Sequence, residues 1–423
     1  MDKIKIYKSK VDGRITLPAS KSDAHRKIIC ASLAMGQKST LTNVTYSNDI
    51  NATIDCMNKL GANIKKDGDN LLIEGIKSFN KVDQVELDAT ESGSTLRFLL
   101  PVASLLANKV IFKGSKKLLS RPLDVYQDIY LDNMKINLEY VELTSSLEKS
   151  EYEVRGDISS QFISGLLFAS TLMNKKITIK IVNKFESKSY VLMTLKTLNE
   201  YGVNYSFDEI NNVIVIEPTL GCKATNKKVE GDCSQLAFLG ALGLINNDVL
   251  VEGIPSNTLQ GDKKIIDFYK EIGGEVVQVN EEAYLFCKSE LKGGTIDIED
   301  TPDLGPMLIA LGSLCEDGLT LLNTRRLKIK ESDRVLAMKE ELKKYGVEIF
   351  DEENKVLIKK QDLKNPLEEI NPHNDHRILM SLSVLSTLLE ETKFINKECV
   401  NKSYPGFFID LKNLGVKEEE VND

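Results

Sequence analysis

Two kinds of helix marker recur through this chain with a shared period of about 70 residues, and that repetition constrains its fold more than any single motif. The first marker is a small polar or acidic residue before an apolar helical stretch: Ser22, Ser94, Ser160, Ser234, Asp303 and Asp375. Such side chains cap the free N–H groups of a first helical turn. The stretches behind them include Phe162-Ile163-Ser164-Gly165-Leu166-Leu167 and Ile378-Leu379-Met380-Ser381-Leu382. The second marker is an amphipathic helix that stops at glycine and runs into a strand. It reads Leu60-Gly61-Ala62-Asn63-Ile64, Tyr201-Gly202-Val203-Asn204-Tyr205, Ile272-Gly273-Gly274-Glu275-Val276, Tyr345-Gly346-Val347-Glu348-Ile349 and Leu414-Gly415-Val416. Glycine tolerates the left-handed conformation that ends a helix. One copy, Leu131-Asp132-Asn133-Met134-Lys135-Ile136, has no glycine. The second marker trails the first by about 40 residues in each unit, which divides the chain into six units of two helices with intervening strands. The period leaves open whether the six form one solenoid or two closed groups of three.

A chain of 423 residues exceeds one ordinary core, so two domains are expected. Several function classes are disfavoured. Net charge is −8, against general nucleic-acid binding. The longest apolar runs, at 239–245 and 379–389, fall short of the roughly 18–20 residues of a membrane span. The start, Met1-Asp2-Lys3-Ile4-Lys5, lacks the apolar stretch of a signal peptide, and a cytoplasmic protein is expected. The seven cysteines are scattered and never form a C-x-x-C pair, against a disulfide framework or a zinc site. His373 and His376 stand three apart with no further ligand nearby, so no metal is expected. If the substrates are anions, a local basic cluster must draw them, because the global field opposes them.

Such a cluster is written at the helix starts. A helix N-terminus carries unpaired N–H groups and a partial positive charge, which favour anions. The first start reads Ser20-Lys21-Ser22-Asp23-Ala24-His25-Arg26, with Ser22 and Arg26 four apart on one face. The second, Glu91-Ser92-Gly93-Ser94-Thr95-Leu96-Arg97, offers Gly93 as a place where a ligand approaches the backbone closely. The third is Ser159-Ser160-Gln161; later come Asp303, Lys330-Glu331-Ser332-Asp333-Arg334 and Asn374-Asp375-His376-Arg377. Alone, each reads as a cap or a solvated charged turn, and no full G-x-x-x-x-G-K-[ST] loop is present. Together they place Lys21, Arg26, Arg97, Arg334 and Arg377 against the helix dipole, a conflict that an anionic ligand resolves.

In this order and spacing the motifs resemble the 3-phosphoshikimate 1-carboxyvinyltransferase family of enolpyruvyl transferases. The resemblance runs over residues 20–405, with Arg121-Pro122 and Lys402-Ser403-Tyr404-Pro405 as further support. It implies an α/β fold of two similar domains, each of three βαβαββ units in an inside-out α/β barrel, with the active site in the cleft between them. Residues 1–17 with 230–423 would form one domain and 18–229 the other. The implied reaction moves the enolpyruvyl (carboxyvinyl) group of phosphoenolpyruvate to the 5-hydroxyl of shikimate 3-phosphate and releases phosphate through a tetrahedral ketal. This is a step toward chorismate and the aromatic amino acids, and the family is the target of glyphosate.

Residue by residue, the resemblance puts Lys21 against both substrates. Ser22, Arg26, Ser159, Ser160, Gln161, Ser187, Asp303 and Lys330 match positions that hold shikimate 3-phosphate, with Tyr190 beside them. Gly93, Arg121, Gln161, Arg334, Arg377 and Lys402 match those that hold phosphoenolpyruvate. Asp303, Glu331 and Lys21 are the candidates for proton transfer. Glu91 stands where many members carry Asn, and Arg326 where some do. No cofactor, nucleic acid or membrane partner is implied, and a monomer is expected. The sister transferase acting on UDP-N-acetylglucosamine is disfavoured because Lys21 is followed by Ser22 rather than Asn, and residues 113–121 hold no cysteine. A catalytically inert scaffold is disfavoured by the presence of Lys21, Asp303 and Glu331.

Overall fold

One sheet pattern is used six times. The computed structural model of the chain describes residues 2–421. In the third unit the strands Glu151–Arg155 and Ile177–Val182 run parallel, joined by the helix Ser160–Ser170. After the helix Lys188–Glu200, the hairpin Tyr205–Asp208 and Val213–Ile216 returns so that its second strand pairs antiparallel with Ile177–Val182. The order first-second-fourth-third recurs in the sheet of Val82–Asp88, Ala107–Lys113, Tyr140–Leu143 and Met134–Ile136, and in that of Gly294–Asp297, Leu319–Leu322, Lys355–Ile358 and Ile349–Glu352.

The other three sheets borrow a strand from far along the chain. Lys227–Lys228 supplies the first strand beside Lys38–Thr42, and Gly13–Thr16 supplies it beside Val249–Glu252. Lys3–Tyr7 takes the fourth position between Glu391–Phe394 and Lys417–Val421, with a lone parallel bridge from Ile370 to Phe394 standing for the first strand. All six sheets are open, and none is hydrogen-bonded to another among the described residues. The chain divides into two compact units, Met1–Pro18 with Gly231–Asp423, and Ala19–Glu230. Each has its own apolar core.

The two helices of a repeat bury different amounts of surface. Every residue of Leu236–Ile245 is buried, as is all of Ser160–Ser170 except Gln161. A helix apolar on all sides belongs inside a layer of others. The second helices, such as Asn48–Lys59, keep a polar face. They end as the glycines require: Gly61, Gly202, Gly273, Gly346 and Gly415 have φ of 106°, 78°, 93°, 80° and 92°. The copy without glycine makes the same break at Leu131, φ 54° and ψ −133°.

The first markers need correction in detail. The caps are Ser20 and Ser92, not Ser22 and Ser94, which lie within the helices Lys21–Ser32 and Gly93–Leu106. Ser159 caps Ser160–Ser170, so Ser160 is the first helical residue. Ser234 caps nothing: Leu236–Ile245 follows Gln235 without a side-chain cap. Asp303 sits in a 3-10 turn, Pro302–Leu304, before the helix Gly305–Gly312. Asp375 caps His376–Ser386 as expected. Among the described residues no helix is long and apolar enough to cross a membrane.

Candidate active site

In the unit Ala19–Glu230, the start of the helix Ser160–Ser170 reaches Gly93 through Gln161. Lys21 opens the helix Lys21–Ser32 and its Nζ lies 2.9 Å from Asp49 Oδ2. Asp49 went unnoticed in the sequence, being 28 residues away and outside any motif. Arg26 is 2% exposed, and its guanidinium donates to Ser22 O at 2.6 Å, Tyr190 O at 2.9 Å and Thr194 Oγ1 at 2.9 Å. It therefore fixes Ser22 and Tyr190 from within rather than standing at the surface. Burial pushes its pKa down to about 10, which leaves it charged at neutral pH.

Gly93 is packed by polar side chains rather than by backbone. A Cβ there would stand 3.0 Å from Arg121 Nη1, 3.7 Å from Arg97 Nη1 and 3.8 Å from Gln161 Oε1. Gln161 accepts from Arg97 Nη1 at 2.8 Å and donates to Ser94 Oγ at 3.0 Å, which fixes the orientation of its amide. Arg97 was read from the sequence only as one of the helix-start cations and Ser94 only as a helix marker; the structure places both in hydrogen-bond contact with Gln161. Arg121 lines a cavity of about 470 Å3 with Leu119, Pro122, Leu123 and Gln127. Its Nε is buried without a hydrogen-bond partner. Ser159 caps its helix by accepting from Gln161 N at 3.3 Å, Ser160 is buried, and Ser187 is held at φ 52° before Lys188–Glu200.

In the unit Met1–Pro18 with Gly231–Asp423, a second cluster is built around Arg334, whose side chain is 1% exposed. Its Nη1 lies 2.8 Å from Asp303 Oδ1, Nη2 is 2.6 Å from Glu331 Oε2, and Nε is 2.9 Å from Asp375 Oδ2. Asp303 also faces Lys330 at 3.1 Å and Arg377 at 3.0 Å. Arg377 reaches Ser234 Oγ at 3.3 Å, Lys402 donates to Asn374 O at 2.5 Å, and Arg326 donates to Glu299 O at 3.3 Å. The charge on Asp375 was missed: its motif was read as a cap, and nothing in the spacing reveals the bond back to Arg334, 41 residues earlier.

The electrostatics follow from these contacts. Burial favours the neutral acid of Asp303, but Arg377, Lys330 and Arg334 outweigh it and hold the carboxyl well below the usual carboxylate range. Burial likewise works against the charge on Arg334, and Asp375, Glu331 and Asp303 overcome it and raise its pKa. For Lys330 burial wins and its pKa falls, against the pull of Asp303. Three cations (Lys330, Arg334 and Arg377) thus meet three carboxylates, Asp303, Glu331 and Asp375. Arg forks and Lys ammonium groups at helix starts define a binder of phosphate and carboxylate groups.

The comparisons with known proteins agree with that class. Residues 6–411 match the family described as EPSP synthase (3-phosphoshikimate 1-carboxyvinyltransferase). A 3-phosphoshikimate 1-carboxyvinyltransferase of Clostridium perfringens is 38% identical over 423 residues, covering 98% of this chain and 99% of its own. One from Clostridium acetobutylicum is 40% identical over 427 residues, covering 98% of each chain. The solved EPSP synthase of Acinetobacter baumannii superposes over 100% of both chains with a TM-score of 0.79 at 22% identity, a likeness of fold. The chain belongs to the EPSP synthase family. It is a transferase that moves the enolpyruvyl group of phosphoenolpyruvate to shikimate 3-phosphate, in the shikimate pathway of aromatic amino acid biosynthesis.

Proposed function

We propose that both clusters act on one substrate pair. In this reading Lys21, Ser22, Ser159, Ser160, Gln161 and Ser187 take shikimate 3-phosphate, with Arg26 setting Ser22 and Tyr190, and Asp303 and Lys330 facing its reacting hydroxyl. Phosphoenolpyruvate is held by Gly93, Arg121, Gln161, Arg334, Arg377 and Lys402, with Lys21 reaching both ligands. The observation that carries the reading is Asp303 among Lys330, Arg334 and Arg377: a carboxylate already stands where cations converge. Phosphoenolpyruvate brings a carboxylate and a phosphate of about −1.5 to −2. Each charge-assisted hydrogen bond contributes roughly 1.5–3 kcal/mol.

The chemistry follows from those charges. As substrate oxygens engage Arg334 and Arg377, the hold of these cations on Asp303 weakens and the carboxylate becomes a stronger base. Asp303 then accepts the proton of the 5-hydroxyl while the oxygen bonds to C2 of phosphoenolpyruvate. Glu331, which enters this step in its protonated form, delivers that proton to C3, giving the tetrahedral ketal. In the elimination it takes one back from C3 as the C–O bond to phosphate breaks, and the departing phosphate takes the proton held by Asp303. Lys21 steadies the oxygens between the substrates. In this reading the enzyme acts in the cytoplasm, since doubly charged phosphates do not cross a bilayer unaided, and one chain suffices for a site, since both residue sets come from it.

The test is phosphate release from phosphoenolpyruvate with shikimate 3-phosphate, for the intact chain and for Lys21→Ala and Glu331→Ala. Release that needs both substrates, survives a chelator and collapses in both variants supports the assignment. Undiminished release in either variant removes that residue from the mechanism. Scattering that shows no compaction on adding shikimate 3-phosphate counts against a shared substrate pair.

A further inference from the structure

We propose that the hydroxyls of Thr53 and Thr95 are positioning residues for phosphoenolpyruvate, tying the helix that carries Lys21 to the Gly93 turn through a one-way chain of buried hydrogen bonds. The inference rests on the reading above that the Gly93 turn helps hold phosphoenolpyruvate. His25 Nδ1 lies 2.7 Å from Thr53 Oγ1, Thr53 Oγ1 lies 2.6 Å from Thr95 Oγ1, and Thr95 Oγ1 donates to Ser92 Oγ at 2.7 Å. All four residues are 0% exposed. The chain crosses three helices, Lys21–Ser32, Asn48–Lys59 and Gly93–Leu106, and ends at the cap before Gly93.

Counting protons gives the chain a direction. Each hydroxyl has one hydrogen to donate. Thr95 gives its hydrogen to Ser92, with Asp49 O a more distant acceptor at 3.4 Å, and with the hydrogen spent on either its oxygen accepts from Thr53. Thr53 has then spent its own hydrogen and accepts from His25, which must carry its proton on Nδ1. Burial, with Lys21 and Arg26 nearby, holds the His25 pKa well below the usual imidazole range, so the ring is neutral and the other nitrogen, Nε2, is a buried lone pair without a partner.

The geometry puts the consequence at the ligand. Ser92 Oγ also accepts from Thr95 N at 3.2 Å, so Thr95 fixes the Ser92 side chain from two atoms and with it the turn at φ −77°, ψ 102°. Thr53 lies one helical turn after Asp49, the partner of Lys21. The same three hydroxyls therefore set the spacing between the Lys21–Asp49 pair and the Gly93–Arg121 gap. Across that gap a Cβ on Gly93 would stand only 3.0 Å from Arg121 Nη1, and binding geometry is lost over shifts of about 0.5 Å.

The test compares Thr95→Val and Thr53→Val, which keep shape and lose the hydroxyl, with Thr95→Ser, which keeps it. Thr197→Val serves as a control, because it removes another buried hydroxyl bond of the same unit, to Met193 O at 2.9 Å. Steady-state kinetics and thermal midpoints are read for each. The expected result is a rise of about tenfold in KM for phosphoenolpyruvate in both valine variants. KM for shikimate 3-phosphate should stay within about twofold, Thr95→Ser should restore binding, and Thr197→Val should change only the midpoint. An unchanged KM for phosphoenolpyruvate in Thr95→Val, while Gly93→Ala raises it, overturns the positioning role and leaves the site reading standing. No change in Gly93→Ala overturns both.

Discussion

Asp375 and Arg334 meet at 2.9 Å with side chains 0% and 1% exposed, and the same carboxylate caps the helix His376–Ser386 by accepting from Arg377 N at 2.9 Å. One buried anion thereby orients two arginines, one through its side chain and the other through its backbone. Asp375 also accepts from Ser332 Oγ at 3.0 Å. Its four lone-pair sites are well used, as a buried carboxylate requires. Burial raises its pKa, but the Arg334 guanidinium overrides that and lowers it.

Replacing Asp375 by Asn keeps the cap and removes the charge. Arg334 would then rely on Asp303 and Glu331 while still buried. Breaking a buried pair in this way costs roughly 3–5 kcal/mol. Denaturant unfolding of Asp375→Asn should show a lower midpoint at unchanged slope, with KM for phosphoenolpyruvate raised. A midpoint equal to that of the parent would mean that the other two carboxylates suffice.

The lowered pKa of Asp303 sets a pH dependence with a definite sign. Its carboxyl binds protons less readily in the folded chain than in the unfolded one, so its contribution is complete above the unfolded value of about 4. The contribution is lost as pH falls through the lower folded value. The difference in unfolding midpoint between the parent and Asp303→Asn should therefore hold constant from pH 7 to about 4 and shrink below that. Shrinkage already between about pH 7 and 5 would contradict cation control of Asp303.

Much of this architecture is legible in the sequence because its signals are local. A glycine that must adopt positive φ announces a helix end wherever it falls, and all five glycine markers do so. Cap positions are less legible: Ser20 and Ser22 are equal in type, and packing, with Ser20 at 0% exposure, selects the first. The strand Lys3–Tyr7 lies beside partners almost a chain length away and Lys227–Lys228 beside one almost a domain away, which no local pattern encodes. The cations of the site were legible as exceptions to the helix dipole. Their partners Asp49 and Asp375 were not, because the contacts span 28 and 41 residues.

The missing glycine at Leu131 makes its own prediction. With φ 54° and ψ −133° this residue occupies a region almost reserved for glycine, while its side chain is 66% exposed and gains little from burial. Such strain costs on the order of 1–3 kcal/mol. Leu131→Gly gives back part of that through unfolded-state entropy, so a net gain of about 1 kcal/mol is expected from denaturant unfolding. A loss would show that the leucine side chain holds the turn.

Gly93 separates function from folding most sharply when set against Gly165. At Gly165 an added Cβ would lie 2.3 Å from the backbone oxygen of Arg97 and 2.2 Å from Tyr126 Oη, so Gly165→Ala must displace main chain and should unfold at a markedly lower temperature. At Gly93 the nearest atom, 3.0 Å away, is Arg121 Nη1, the end of a flexible side chain. Gly93 opens the helix Gly93–Leu106 without a positive φ, and alanine favours helix by up to about 1 kcal/mol over glycine. Gly93→Ala should therefore keep or raise the thermal midpoint. Its methyl takes the space in which Arg121, Arg97 and Gln161 converge, so KM for phosphoenolpyruvate should rise by about tenfold or more while KM for shikimate 3-phosphate holds. If both constants rise together, the turn serves the whole site rather than one ligand; if neither moves, phosphoenolpyruvate lies elsewhere.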